Sequence, residues 1–168
     1  MSCTLINGIS GICEYSASGI EKIWLANKAD ITLDSYNAEG ELTGITGTTT
    51  YEFVPALDSG TVQDDIVVNG SRRNFLQTIS FGLDAMSAAT LLTLETLGLS
   101  NMVAFVKDAA GDWRAYGLKG TGLRVTVLTE GSGTSTGNDG SLVVTIAGST
   151  TSKGRYMDST TVTQLGLS

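Results

Sequence analysis

The sequence predicts a mainly β protein, an antiparallel β-sandwich or barrel flanked by one α-helix. The chain of 168 residues contains 21 glycines and one proline, and Gly-rich turns separate short segments rich in Thr, Val and Ile. That arrangement is typical of antiparallel sheets. Residues 84–98 instead have the apolar spacing of a helix. Because no shift in composition and no internal repeat marks a boundary, we expect a single domain over residues 1–168.

The predicted strands are defined by alternation and by composition. In residues 72–83, large apolar side chains recur with period two, which places Phe75, Ile79 and Phe81 on one face of a sheet. Residues 101–108 are apolar at consecutive positions, which suits a strand that is buried on both faces. The predicted strands, in chain order, are 20–27, 30–36, 47–55, 61–70, 72–83, 101–108, 113–118, 121–130 and 141–150.

One helix is predicted between two groups of strands. Asp84 is a suitable N-cap, and Gly98 is a suitable residue just beyond the C-terminus. Leu91, Leu94 and Leu97 fall at helical spacing and give the helix one apolar face. We therefore expect a helix of about three and a half turns that packs on a sheet.

An aromatic hairpin follows the helix. Residues 108–118 read DAAGDWRAYGL, which is a strand end, a tight turn and a returning strand. Trp24, Trp113 and Tyr116 are predicted structural aromatics: at least one Trp fills the core, and Tyr116 either packs or serves an interface. The remaining segments are an N-terminal strand or arm, a Gly/Ser/Thr loop at 131–140 and an irregular C-terminal arm near 151–168.

The sequence offers little chemistry for catalysis. Histidine is absent, which removes the commonest general base and metal ligand. Two cysteines, Cys3 and Cys13, cannot form a structural zinc site unless subunits share it. Asp64 and Asp65 are adjacent, so in a strand they point to opposite faces. We therefore expect a protein that is not an enzyme and that has no catalytic residue, no cofactor and no metal.

Charge and hydropathy constrain the partners and the compartment. The formal net charge is −7 without a Lys/Arg-rich run, so sequence-independent binding to nucleic acid is not expected. Charged residues make up only 16% of the chain, which indicates that other subunits cover much of the surface; a simple Thr-rich β protein is the alternative. The sequence has neither a membrane-spanning apolar run nor a signal-peptide pattern. We expect folding in a cytoplasm, with Cys3 and Cys13 reduced; a disulfide that closes a small N-terminal loop is the alternative.

Two stretches of the chain resemble a known group of proteins. Residues 103–149 combine a strand that ends in a D-x-x-G turn, a following aromatic strand, paired glycines, a Gly/Ser/Thr loop and a closing strand; the loop ends in G-N-D-G where the resembled pattern has G-D-x-G. Residues 11–27 carry a Cys, a Gly-Ile pair and an aromatic strand that ends in Ala-Asn. This order is similar to that of structural proteins of tailed bacteriophages and prophages of the Bacteroidetes group.

Within that group, the chain best fits the role of a tail tube protein. The resemblance implies six copies to a ring, with loops and arms that join stacked rings into a conduit for DNA. It implies a location in the virion tail after assembly in the bacterial host cytoplasm, with contacts to other tail or connector proteins. DNA would pass through without specific binding, because a net-acidic bore repels phosphates, and no membrane contact is implied.

Two loops are candidates for stacking, residues 37–50 and residues 131–140, whereas a long hairpin is not evident in the sequence. Arg72 and Arg73 precede a strand and either pair with carboxylates of a neighbouring subunit or mark a solvated strand end. The candidate inter-subunit contacts are Thr46, Thr48, Arg72, Arg73, Ser132, Thr134, Ser135, Thr136, Asn138, Asp139 and Tyr156.

Two other classes of protein are consistent with the sequence. The first is another virion component, such as a head–tail connector, a tail terminator, a ring protein or a minor capsid protein. The second is a monomeric carbohydrate-binding β-sandwich, which would need exposed aromatic residues on one face. Open-ended polymerisation separates the tube protein from the other virion components, and saturable glycan binding by a stable monomer would favour the binding module.

Overall fold

The strands form two antiparallel sheets and one separate hairpin. The computed structural model describes residues 19–47, 49–56, 59–84, 92, 95–96, 99–131 and 141–167. The strands are β1 (Ile20–Asn27), β2 (Leu33–Tyr36), β3 (Leu42–Thr46), β4 (Thr50–Phe53), β5 (Thr61–Asn69), β6 (Arg72–Asp84), β7 (Met102–Asp108), β8 (Trp113–Tyr116), β9 (Arg124–Gly131), β10 (Ser141–Thr150) and β11 (Arg155–Tyr156). A 3-10 helix spans Lys28–Asp30, and helix α1 spans Ser159–Gln164.

The two main sheets pack face to face as a sandwich. One sheet has five strands in the order β11-β8-β7-β1-β4, and the other has four in the order β5-β6-β10-β9. The strands β2 and β3 pair only with each other. Neighbouring strands in both sheets are antiparallel. The predicted fold class, a mainly β antiparallel sandwich, is confirmed.

The core lies between the two sheets and is built from alternate residues. On β6, Ile79 and Phe81 are fully buried, as the period of two predicts. Their partners on β10 are Ile146 and Val144, which face the same way. Phe53 of β4 meets Phe81 across the two layers, with ring centroids 6.3 Å apart. The other members of this core are Ile23, Leu25, Leu83, Met102, Ala104, Val106, Tyr116, Leu123 and Leu142.

The five-stranded sheet is buried on its other face as well. Val103 and Phe105 of β7 point away from the sandwich core and are fully buried in a second core. This burial on both faces explains why residues 101–108 are apolar at consecutive positions. Trp24 and Trp113 belong to the same second core, with ring centroids 5.0 Å apart. The β2–β3 hairpin and the C-terminal segment supply most of the rest, together with Ala26, Ala115 and Leu118.

The C-terminal segment is part of this second core. The expectation of an irregular arm near 151–168 is corrected, because β11 pairs with β8 and α1 follows it. The Asp158 side chain accepts a hydrogen bond from the Thr161 backbone N–H at 2.8 Å and caps α1. The Thr161 hydroxyl donates to the Leu42 carbonyl at 3.1 Å, and Leu167 is buried. A six-residue helix rich in Ser and Thr has weak intrinsic propensity, so these tertiary contacts provide its order.

Residues 37–50 are also more regular than expected. Strand β3 occupies the middle of this segment and pairs with β2, and its Leu42 and Ile45 are buried. The Asn37 side chain closes the connecting turn, since its oxygen accepts a hydrogen bond from the Glu41 backbone N–H at 2.9 Å. The expectation of a loop over this range is therefore corrected, whereas a role of the segment in stacking stays a prediction. Glycines give the segment the composition of a loop, and the burial of two side chains makes it a strand.

An ion pair ties the β2–β3 hairpin to the segment that follows β8. The Lys119 Nζ lies 2.6 Å from the Asp34 carboxylate, and the Tyr36 hydroxyl donates to the same carboxylate. Partial burial raises the pKa of Asp34, but the hydrogen bonds from Lys119 and Tyr36 outweigh that effect and hold it below its ordinary value. Burial and the bond to Asp34 raise the pKa of Tyr36. Asp34 is therefore charged at neutral pH and helps to hold the hairpin in place.

Most of the predicted helix lies outside the described residues. Asp84 is the last residue of β6. Within the predicted helix, Leu92, Glu95 and Thr96 are described, and all three are helical. The Thr96 hydroxyl donates to the Leu92 carbonyl at 2.8 Å, a contact between residues one helical turn apart. The predicted packing of this helix on a sheet concerns residues outside the described part of the chain.

Candidate functional site

A cluster of exposed apolar side chains lies on the β-hairpin formed by β5 and β6. The two strands pair continuously from Thr61 opposite Ser80 to Asn69 opposite Arg72. Gly70 lies in the turn between them with φ +62°, a conformation that glycine adopts without strain. The hairpin is therefore long and tightly turned.

The outer part of this hairpin has no third strand beside it. Strand β10 pairs with β6 only as far as Phe75, which lies opposite Thr150. Between the Ile66–Phe75 pair and the turn, β5 and β6 pair only with each other among the described strands. We call residues 66–75 the hairpin tip. Just before the tip, the Asp64 carboxylate accepts a hydrogen bond from the Gly154 backbone N–H at 2.8 Å, which anchors β5 to the C-terminal segment.

Both faces of the hairpin tip carry exposed aliphatic side chains. Ile66 and Val68 share one face and are 56% and 63% exposed, whereas Val67 points the other way and is 44% exposed. A protruding strand pair in a soluble monomer is normally polar or charged, because exposed apolar strands associate with other chains. The composition of the hairpin tip therefore indicates a surface that another molecule covers.

Two arginines lie at the end of the hairpin tip. Arg72 and Arg73 are both exposed. Their cross-strand partners are Asn69 and Val68, so neither arginine has a carboxylate opposite it. The salt bridges found among the described residues involve other groups. Since Arg73 lies opposite Val68, its side chain is on the same face of the tip as those of Val68 and Ile66.

The outer face of the four-stranded sheet is made mostly of Thr, Ser and small aliphatic residues. Below the hairpin tip its residues are Thr61, Gln63, Asp65, Leu76, Thr78, Ser80, Gly82, Arg124, Val127, Thr129, Val143, Thr145, Ala147 and Ser149. Asp65 and Arg124 are the charged members of this set. Strands β5 and β9 are the edges of the sheet, and each has one unpaired side in the described chain. Such edges are ready to pair with strands of another copy.

A cavity of about 510 Å³ opens between the sheets at the start of β5. Ile20, Val62 and Val106 give it an apolar wall, and Asp108 and Arg114 supply charged groups. Gly19, Gly60, Thr61 and Tyr116 complete the lining. The cavity thus combines an apolar surface with a carboxylate and a guanidinium group.

The predicted contact residues that the structure describes belong to different elements. Arg72 and Arg73 lie at the hairpin tip. Thr46 is exposed in β3, and its carbonyl accepts a hydrogen bond from the Thr32 backbone N–H at 3.1 Å. Tyr156 is 46% exposed in β11. Outside the described residues are Thr48, Ser132, Thr134, Ser135, Thr136, Asn138 and Asp139, together with Cys3 and Cys13.

The predicted structural aromatics take up packing positions. Trp24 is buried and Trp113 is half-buried in the second core. Tyr116 is only 4% exposed and lies in the core between the sheets, where its remaining surface forms part of the cavity lining. The guanidinium carbon of Arg114 lies 4.3 Å from the centroid of the Tyr156 ring, and this arginine donates a hydrogen bond to the Tyr156 hydroxyl.

The carboxylates of the hairpins act as structural groups. The Asp108 side chain accepts hydrogen bonds from the backbone N–H groups of Ala110 and Asp112, at 3.0 and 2.9 Å, and closes the β7–β8 turn. Asp64 and Asp65 point to opposite faces of β5, as adjacent strand residues must. Within the part of the chain that the structure describes, no group of three or more His, Cys, Asp or Glu residues could hold a metal ion.

Sequence reasoning identified both strands of the long hairpin but not the hairpin itself. The expectation that no long hairpin is evident is corrected by the pairing of β5 with β6. A signal was present, because a Gly-Ser pair such as Gly70–Ser71 between two β segments favours a tight two-residue hairpin turn. The three consecutive aliphatic residues 66–68 were a second signal, since they break the alternation of a strand with one buried face.

Comparisons with known proteins identify no relatives. No protein-family model, no curated protein and no solved structure matches the chain. Among the described residues, no helix has the length and apolar character needed to cross a membrane. The functional interpretation therefore depends on the surfaces described above.

Proposed function

We propose that the chain is a structural subunit of a bacteriophage tail tube, which forms stacked hexameric rings around a conduit for DNA. The observation that carries the proposal is the hairpin tip, whose aliphatic side chains are exposed on both faces. In this role the protein works by assembly. Its partners are other copies of itself, with other tail or connector proteins at the ends of the tube, in a virion tail that is assembled in the host cytoplasm.

The hairpin tip suits a contact between copies that follow one another along an axis. Contact between two different surfaces of identical copies continues indefinitely when it does not close into a ring. Full burial of a Val or Ile side chain is worth about 1.5–3 kcal/mol. Because Ile66, Val67 and Val68 are each about half exposed, covering all three would contribute about 2–5 kcal/mol per copy. That contribution is repeated by every copy in a ring.

The four-stranded sheet suits contacts within a ring. Its edge strands β5 and β9 each have a row of backbone groups that no other described strand pairs with, and pairing between neighbouring copies would satisfy them. Six such sheets joined edge to edge would line a bore with their outer faces. That face carries few cations for DNA phosphates to bind, and the net charge of −7 per chain repels phosphates.

Negative-stain electron microscopy of the purified protein, with its mass in solution measured alongside, tests the proposal. We expect long hollow tubes with a regular axial repeat. Closed rings that never elongate would contradict a tube and favour a head–tail connector or a tail terminator. A stable monomer that binds glycans saturably would contradict it and favour a carbohydrate-binding module.

A pair of matched variants connects assembly to the hairpin. Val68→Asp places a charge in the proposed contact and should abolish tubes without unfolding the subunit, because Val68 is 63% exposed. Val54→Asp is the control, since Val54 is 61% exposed and lies outside the hairpin. It should leave the tubes intact. Equal effects of the two variants would show that overall solubility, rather than the hairpin, governs assembly.

A further inference from the structure

We propose that the cavity at the start of β5 receives the hairpin tip of the next copy in the stack, and that Arg73 of that tip pairs with Asp108. The proposal rests on the tube function proposed above and identifies the surface that covers the hairpin tip. Three properties of the chain support it: the positions of the two surfaces, their apolar composition and their charges.

The cavity and the hairpin tip lie at opposite ends of one strand. Thr61, the first residue of β5, lines the cavity, and Asn69, the last, precedes the turn. At about 3.4 Å per residue, Thr61 and Asn69 are about 27 Å apart, and the docking residues Ile66 and Val68 lie about 17 and 24 Å from Thr61. One copy therefore cannot place its tip in its own cavity, whereas a second copy shifted along the strand direction can. Exposed Gly19 and Thr61 at the cavity leave it accessible from outside.

The apolar wall of the cavity matches one face of the tip. Ile20, Val62 and Val106 line the cavity, and its volume of about 510 Å³ is in the range of sites that hold small organic ligands. Ile66 and Val68 project from the same face of the tip and are both more than half exposed. Two branched aliphatic side chains are of a size that such a cavity accommodates, and their burial there would remove both from water.

The charges of the two surfaces are complementary. Asp108 lines the cavity, Asp112 is exposed at the end of the same turn, and neither takes part in the salt bridges of the described residues. Arg73 is on the tip face that carries Val68 and is likewise without a salt bridge there. The cation of the cavity itself, Arg114, stacks on the Tyr156 ring at 4.3 Å and attracts Asp108 electrostatically without forming a salt bridge with it. An arginine from a second copy would therefore meet a carboxylate that no ion pair of the described chain occupies.

A contact of this kind gives the stack a direction. Each ring would present free hairpin tips at one end and empty cavities at the other, so that rings add head to tail. The same contact, repeated by every copy, would place the hairpin tips between rings and leave the outer face of the four-stranded sheet free for the bore.

Cysteine cross-linking in assembled tubes tests the contact. In a background of Cys3→Ser and Cys13→Ser, one variant carries Arg73→Cys and a second carries Ala109→Cys, which is exposed in the β7–β8 turn. When the two variants are mixed and assembled, a short bismaleimide should join them into a covalent dimer on a denaturing gel. In the matched control, Glu39→Cys, exposed in the β2–β3 turn, replaces Ala109→Cys and should give no dimer.

Charge variants test the proposed ion pair separately. Arg73→Glu should raise the concentration needed for assembly about tenfold or more, because it opposes a carboxylate in the contact. Arg72 lies on the other face of the hairpin, so Arg72→Glu should change the concentration needed for assembly much less. Asp108→Asn keeps an oxygen for the turn hydrogen bonds and removes the charge. Combined with Arg73→Glu, it should relieve part of the defect, since the repulsion is gone.

The outcomes separate this contact from the tube function. If Arg73→Cys cross-links to Ala109→Cys but not to Glu39→Cys, and the charge variants behave as expected, the cavity is supported as the docking site. Tubes that form normally but give no such cross-link, or that cross-link equally to Glu39→Cys, would overturn the docking site and leave the tube function standing. Wild-type protein that never forms tubes would overturn both.

Discussion

Replacing Ile66 and Val68 by threonine should weaken assembly without loosening the subunit. Threonine is similar in shape to valine and favours strands, so the hairpin keeps its backbone conformation. The two side chains are 56% and 63% exposed in the subunit. More than half of their possible apolar burial is therefore still to be gained when a second copy covers the hairpin tip.

The expected magnitude follows from that exposure. Complete burial of a Val or Ile side chain is worth about 1.5–3 kcal/mol, so the exposed part of each side chain represents about 1–2 kcal/mol. The double variant forfeits most of both contributions and must also desolvate two hydroxyl groups. At about 1.4 kcal/mol for each factor of ten, the concentration needed for polymerisation should rise by about 30-fold or more.

Sedimentation of polymer across a dilution series measures this concentration directly. Val54→Thr provides the control, because Val54 is 61% exposed and lies outside the hairpin; its polymerisation should match the wild type. Far-UV circular dichroism and thermal unfolding check that the double-variant subunit is intact. Polymerisation of the double variant at the wild-type concentration would refute the burial of the hairpin tip in the tube.

Three further predictions concern the subunit itself. Asp34 is partly buried, yet its hydrogen bonds hold its pKa below the ordinary value of 3.8. Its ion pair with Lys119 therefore stabilises the fold above pH 3.8, and this stabilisation is lost as the pH falls through the lower pKa of the folded state. The difference in melting temperature between wild type and Asp34→Asn should shrink from about pH 5 to about pH 2, and a constant difference would contradict this. Gly154→Ala should lower the free energy of unfolding in urea by about 1–3 kcal/mol, because its Cβ would lie 2.2 Å from the Cε1 of buried Tyr116; an unchanged value would exclude the clash. Leu167→Ala should lower the free energy of unfolding by about 2–5 kcal/mol, because Leu167 is buried in the second core. A variant as stable as the wild type would instead indicate that the C-terminal segment is a free arm.

The main strands could be predicted from sequence because their patterns are local. The period of two in β6 placed Ile79 and Phe81 in the core, where both are fully buried. The continuous apolar run of β7 indicated burial on both faces, and its Val103 and Phe105 fill the second core. In both strands the alternation or its absence reports the surroundings of each side chain directly.

Elements that depend on distant contacts could not be predicted in the same way. Strand β3 has a loop-like composition and is a strand because Leu42 and Ile45 are buried. Helix α1 has weak helical propensity and depends on contacts such as the bond from the Thr161 hydroxyl to the Leu42 carbonyl. Local sequence carries little information on either set of contacts.

The candidate site was only partly visible in the sequence. The arginine pair at residues 72–73 is recognisable in the sequence because paired charges stand out in a chain with few of them. The aliphatic run at residues 66–68 breaks the alternation of a half-buried strand, but the sequence does not show how much of β5 the other sheet covers. Val62, on the same face of β5, packs against the sandwich core, whereas Ile66 and Val68 lie beyond that core and are exposed.

Cryo-electron microscopy of the assembled protein, followed by helical reconstruction, tests the tube function most directly. We predict a tube in which the four-stranded sheets of neighbouring copies surround the bore and the hairpin tip of each copy is buried against the next ring. A tube whose hairpin tips point into solvent would contradict the role given to them. A chain that stays monomeric at every concentration, or that stops at a single ring, would contradict the tube itself.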